Sequence, residues 1–167
     1  MRRTVVMSAV IVLGGLAWAW PSLPARATKS LLDQSALLPA AAGPGLLHQC
    51  SRRTIEAPDS YWVVTIPEAT VIEHALLSYL ARPEVRKPSR PLEEYFRQYI
   101  GVIAGGRRLV YVSFFHRSYF EDAPDEKERQ MWRTEPVEVC DGGDHYWGIV
   151  YDVDKATFHP PEFNGEV

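Results

Sequence analysis

The sequence predicts an α+β domain, with two helices packed on an antiparallel sheet of about five strands over residues 59–167. Three observations predict it. A capped stretch of helical apolar spacing begins at Thr65. A Gly105-Gly106 pair is flanked on both sides by β-branched and aromatic residues. From Val139 onward, β-rich runs alternate with the turn sequences Asp141-Gly142-Gly143-Asp144 and Asp152-Val153-Asp154-Lys155. Helices followed by a meander of strands give a two-layer architecture.

The chain opens with a basic pair, Arg2-Arg3, then an apolar run from Val5 to Ala19, then Ala25-Arg26-Ala27. This is the order of a cleaved signal peptide over residues 1–27. The run is shorter than the roughly 20 residues of a spanning helix. An uncleaved inner-membrane anchor over residues 5–20 is the alternative, since Trp18 and Trp20 suit a membrane interface. Either way the rest of the chain is expected in the periplasm or outside the cell, and a membrane is a partner only if the segment stays attached. Residues 28–58 are rich in Ala, Leu and Pro, and read as a flexible lead-in with Arg52-Arg53 as a solvated patch.

The first helix follows Thr65, where Thr65-Ile66-Pro67-Glu68 has the form of a capping box. Ala69, Ile72, Leu76, Tyr79 and Leu80 recur at helical spacing, His74 falls off that stripe, and Pro83 ends it. A second helix is expected from Pro91, because Leu92, Tyr95, Phe96, Tyr99 and Ile100 sit at i, i+3, i+4, i+7 and i+8. Val102-Ile103-Ala104, Gly105-Gly106 and the run from Arg107 to Phe115 read as a hairpin with a two-residue turn. Its return strand is apolar on both faces, which predicts a central, covered strand or a face that meets a partner. Residues 117–136 read as a long polar insertion with one helical turn before Trp132 docks on the core. Strands are expected at Val137–Cys140, at His145–Tyr151 and from Ala156, with Phe163 tucked into a closing turn.

Charge narrows the partners. The whole chain has a formal charge of −3, and removing the three Arg of residues 1–27 leaves −6. An acidic domain is a poor match for nucleic acid, whose phosphates need clustered Lys and Arg. Export would place Cys50 and Cys140 where a disulfide can form, closing a loop of about 90 residues. Two unpaired thiols are the other reading.

No stretch carries a motif that fixes a chemistry. Asp152-Val153-Asp154 after an apolar run is similar to the start of the haloacid dehalogenase phosphatases, but Thr157 stands one residue too late. Asp141, Asp144 and His145 lie within five residues, too few donors for a hard cation or Zn2+ from one loop. Cys140 with a His lacks a third member for a thiol nucleophile. No catalytic residue, metal site or cofactor is therefore assigned.

The run Tyr95-Phe96-Arg97-Gln98-Tyr99-Ile100-Gly101, placed after a helix and leading into a hairpin, resembles the helix-then-sheet order of cystatin-like and NTF2-like domains. Gln98-Tyr99-Ile100-Gly101 is similar to the cystatin inhibitory motif Q-x-V-x-G but has its Gly one residue early, so inhibitory activity does not carry over. The segment from Val139 resembles the endings of small exported bacterial proteins. The resemblance covers roughly residues 91–167 and implies a fold, not an activity.

Two functions are expected in order. The first is a non-enzymatic protein-binding module, an inhibitor or accessory subunit acting on a protein partner in the envelope or outside the cell. Its aromatic tip would be Tyr146 and Trp147, with His145, Asp141 and Asp144 beside it, since aromatics anchor interfaces. The second is a small-ligand pocket in an NTF2-like cone, walled by Tyr95, Tyr99, Tyr111 and Trp147.

Overall fold

The structure is a computed structural model that describes residues 33–165. The segment read as a signal peptide or anchor lies outside the described residues. Among the described residues, no helix is long and apolar enough to cross a membrane.

The fold is α+β, built on a seven-stranded, mostly antiparallel sheet that does not close into a barrel. Its spine is the hairpin of β3 (Tyr95–Ala104) and β4 (Arg107–His116), paired along their full length from Tyr95↔His116 to Ala104↔Arg107. Gly105 and Gly106 both have positive φ, 55° and 73°, the conformation that a two-residue turn of this twist requires. Strand β5 (Tyr146–Asp152) pairs with β4. Short strands finish the edges. β1 (Ser35–Leu37, parallel) and β2 (Ser60–Trp62) pair with β3. β6 (Thr157–Phe158) and β7 (Glu162–Phe163) pair with β5.

The expected second helix is a strand. Only a 3-10 turn forms at Leu92–Glu94, and β3 follows it. A chain buried on both faces satisfies a helical and an alternating pattern equally, so spacing could not choose between them. Tyr95 and Tyr99 face one side of the sheet, Phe96 and Ile100 the other. The aromatic and β-branched composition from Tyr95 to Ile103 belongs to a strand. Arg97 and Gln98, which a helix would turn away from the apolar stripe, are buried in the strand.

One face of the sheet is covered by helix α2 (Ile66–Leu80), labelled after the short α1 (Gly43–Leu47). Its N-terminus is closed by the predicted capping box, with the Thr65 side chain accepting from the Glu68 amide and the Glu68 carboxylate accepting from the Thr65 amide. Ala69, Ile72, Leu76 and Leu80 are its buried stripe, packed on Tyr99, Val112, Phe114 and Trp147. His74 is exposed, as its spacing predicted. One charged island interrupts this layer. Glu73 of α2 meets Arg97 at 3.2 Å and accepts the Tyr99 hydroxyl.

The other face is covered by irregular chain, and here the lead-in reading is corrected. Residues 35–47 are part of the core: Leu38 and Leu46 are fully buried and pack with Ile100, Val102, Leu109, Phe115 and Trp132. The 117–136 insertion completes the cover with two short helices, α3 (Ser118–Glu121) and α4 (Glu126–Gln130). Trp132 docks as expected, stacked 4.3 Å from Phe96. Irregular chain cannot satisfy its own backbone, so a side chain does it instead. Gln98, fully buried, donates to the carbonyls of Trp132 and Glu135 and accepts from the Val137 amide at 2.9 Å. Residues 137–140 are thereby held as irregular chain rather than the expected strand.

Cys50 and Cys140 form a disulfide, with Cα atoms 5.1 Å apart across a separation of 90 residues. By chain entropy a loop of that size is worth about 4.6 kcal/mol.

Candidate functional site

The sequence-based candidates do not gather at one place. Trp147 is fully buried, stacked 3.8 Å from Phe114 on one side and 6.0 Å from Phe163 on the other. It is a keystone of the helix-side core and not an exposed tip. Tyr95 and Tyr99 are fully buried on the same side, whereas Tyr111 is buried on the opposite face. These four aromatics therefore wall no common cavity. Tyr146 is half-buried and lies edge-on to the exposed Tyr119, 6.0 Å away.

The Asp141–His145 loop does not converge on a ligand sphere. Asp141 uses its carbonyl to accept from Asn164, and the Asp144 carboxylate accepts from the Ser89 amide at 2.9 Å. Hydrogen bonding from Ser89, helped by His145 and Arg86, holds the Asp144 carboxyl below its usual range despite partial desolvation. Its carbonyl accepts the Tyr95 hydroxyl, and burial pushes that phenol up to about 12. His145 stacks on His116 at 5.0 Å. His116 in turn contacts Ser118 Oγ at 2.8 Å and Glu94 at 3.2 Å. The order hydroxyl, imidazole, carboxylate is present, but Ser118 is two residues from His116, so this contact follows from a local turn. It gives no independent sign of a built nucleophile.

A large recess lies on the loop face, near the Gly105-Gly106 end of the hairpin. It is a cleft of about 820 Å3. Its floor is Leu109 and Tyr111 of β4 with Val150 of β5. The chain from Arg53 to Asp59 makes one wall, and His159 to Glu162 makes the other. Ala57, in the first wall, has a left-handed φ of 47°. That conformation costs a residue with a Cβ roughly 1–2 kcal/mol, and such strain clusters at binding sites. The rim carries both signs: Arg53 is paired with Glu162 at 2.7 Å, and Arg107 stands near the buried Asp152 at 3.8 Å.

Behind the floor sits Arg52, read from sequence as solvated and in fact buried. Its guanidinium donates to three neutral acceptors: Tyr111 Oη at 3.0 Å, Ser113 Oγ at 2.8 Å and the Asn164 side-chain carbonyl. The Tyr111 ring lies over Gly148, leaving no room for a Cβ there. Its hydroxyl is buried and accepts from Arg52. Burial raises its ionisation above the usual phenol range, and the Arg52 charge opposes that rise. Nothing in the sequence marks Arg52, Ser113 and Asn164 as a unit. Ser113 and Asn164 lie 61 and 112 positions from Arg52 and are joined to it only by the fold.

No protein-family model matches the chain, and neither a curated protein nor a solved structure matches it.

Proposed function

We propose that the chain is a non-enzymatic, exported domain of NTF2-like type that binds a small, partly apolar ligand in the cleft between residues 53–59 and 159–162. The single observation that carries this reading is the cleft itself: a recess of about 820 Å3 with an apolar floor and a few polar rim groups. That size and lining are those of small-molecule sites, which run roughly 300–1,000 Å3. The Tyr111 ring helps close the apolar floor, and Arg53, Arg107 and Glu162 offer charge at the mouth. A helix before a long antiparallel hairpin supports the NTF2-like assignment, and the disulfide supports an oxidising destination.

The test uses 8-anilinonaphthalene-1-sulfonate, an aromatic anion, as the probe. Its fluorescence should rise on binding the full chain and saturate at one dye per chain. Val150→Arg, which fills the floor from a half-buried position, should abolish that signal without lowering the thermal midpoint by more than a few degrees. Equal dye binding by the folded variant, or none by the wild type, would reject the cleft as a ligand site.

A protein partner is the second reading, favoured by one observation. Tyr119 is 52% exposed and pairs with Tyr146, and Met131 of the same insertion is 41% exposed. Affinity capture from an envelope extract should retain a stoichiometric protein that Tyr119→Ser releases. Unchanged retention by that variant would remove this surface from the argument.

A further inference from the structure

Two three-residue segments face each other at the disulfide. His48-Gln49-Cys50 and Glu138-Val139-Cys140 each place a metal-competent donor two positions before a cysteine. Both follow a buried apolar residue, Leu47 and Val137, and in both the donor and the cysteine are exposed. The two sulfurs and a Glu138 carboxylate oxygen all lie within 4.8 Å of one another. His48 Nδ1 is 3.0 Å from Glu138 Oε1. We propose that reduction of Cys50–Cys140 turns this cluster into a site of two thiolates, one imidazole and one carboxylate for Zn2+ or a similar thiophilic divalent cation, so that the protein exchanges a disulfide for a bound metal.

Zn2+ takes four such donors tetrahedrally, with sulfur at about 2.3 Å and nitrogen or oxygen at about 2.0–2.2 Å. Two thiolates select it over hard cations. Glu138 already stands beside both sulfurs, His48 touches Glu138 and must turn toward the sulfurs to complete the set, and the two segments are pinned to each other by bonds that do not involve sulfur. Gln49 Nε2 donates to the Val137 carbonyl at 3.1 Å and to the Leu46 carbonyl at 3.0 Å. Thr54 Oγ1 donates to the Leu47 carbonyl at 2.7 Å. Asn164 donates to the carbonyls of Val139 and Asp141 and accepts from buried Arg52, two residues past Cys50. When the sulfurs separate, these bonds keep both strips of backbone beside one another, the outer support that metal ligands generally require.

The exchange balances. A dithiol reductant delivers two electrons and two protons to the disulfide and leaves as its own disulfide. The cation then displaces the two thiol protons and is held by two thiolates, one carboxylate and a neutral imidazole. A partner disulfide reverses the exchange: it takes the two electrons, picks up two protons from solvent and leaves as its own dithiol, and the S–S bond reforms with release of the cation. Solvent exposure of both cysteines makes the bond accessible to such a partner, and exposed disulfides are the more readily reduced ones.

The test titrates Co2+ into the full chain, reduced anaerobically with a phosphine that leaves as its oxide. Thiolate-to-cobalt charge-transfer absorption should appear, saturate at one ion per chain and vanish when Zn2+ is added. The disulfide form should show none. His48→Ala and Glu138→Ala retain both thiols and should each weaken binding by at least about tenfold, the lower end of what loss of an outer-shell partner costs. Circular dichroism follows the fold throughout. If reduction loosens the chain, cobalt must restore the native spectrum. Absence of the charge-transfer band in the reduced chain, undiminished affinity in both variants, or cobalt held by an unfolded chain would each overturn the proposal.

Discussion

The two faces of the sheet are covered by different kinds of chain, and the difference decides where polar groups are buried. On one face lies a 15-residue helix, whose backbone is satisfied internally apart from its ends. The residues beneath it are accordingly apolar, with Glu73 and Arg97 as the exception. On the other face lie the segments 35–59 and 117–141, mostly irregular. Their amides and carbonyls need partners, and buried side chains supply several: Gln98 to residues 132–137 and Asn164 to residues 139 and 141. Arg52 then fixes Asn164 to the sheet through Ser113 and Tyr111. An irregular cover also leaves a gap, and the cleft is that gap.

The contrast between the faces is tested most severely at Trp147. Replacing it with Ala on the helix face removes a fully buried indole and its stacking partners, and should cost about 3–5 kcal/mol in urea unfolding. A loss under about 1 kcal/mol would show that this face is not the stable layer. Arg52→Met on the loop face keeps much of the volume but leaves Tyr111, Ser113 and Asn164 without their donor. The expected loss is about 2–3 kcal/mol, together with weaker dye binding in the cleft. Unchanged stability would mean that the guanidinium contributes no more than its desolvation removes.

Gln98→Leu separates the faces further, because it strips the backbone partners of the insertion and leaves the helix face intact. We expect roughly 1–3 kcal/mol of destabilisation and faster proteolytic cleavage within residues 117–136 than elsewhere. Uniform cleavage along the chain would contradict the separate anchoring of that segment.

The smallest effect at neutral pH, which is none, belongs to the buried tyrosines and emerges only in alkali. Burial raises the folded-state ionisation of Tyr95 to about 12, and that of Tyr99 and Tyr111 also lies above the ordinary 10.0. For a group whose folded value is raised, the stabilisation is complete below the unfolded value and is lost as pH rises through the folded one. Stability should therefore hold up to about pH 10 and decline toward about pH 12, with phenolate absorbance growing as the chain unfolds. Full phenolate absorbance near pH 10 in a chain that keeps its native circular dichroism would contradict it.

The capping box at Thr65, the Gly105-Gly106 turn and the covered β4 strand were legible because each is a local pattern with one physical solution. The β3 strand was misread because its apolar residues fill both a helical stripe and two strand faces, and only pairing with β4 distinguishes the two. Val137–Cys140 alternates like a strand but finds no strand partner, since Gln98 and Asn164 occupy its backbone groups. The candidate site was less legible still. Of the aromatics singled out, only Tyr111 reaches the cleft, because spacing along the chain cannot say which face of the sheet is left uncovered.

Local sequence was enough for the α+β class, the capped helix, the glycine turn and the pair of cysteines available to bond. These depend on neighbours a few residues apart or, for the cysteines, on chemistry with one intramolecular solution. Tertiary structure alone decided that the lead-in is core, that Trp147 is a keystone, that Arg52 is buried and that a cleft opens over Tyr111. Arg52 meets Tyr111 across 59 residues, and the other three likewise rest on contacts between distant segments. Burial, unlike periodicity, is a property of the assembled chain.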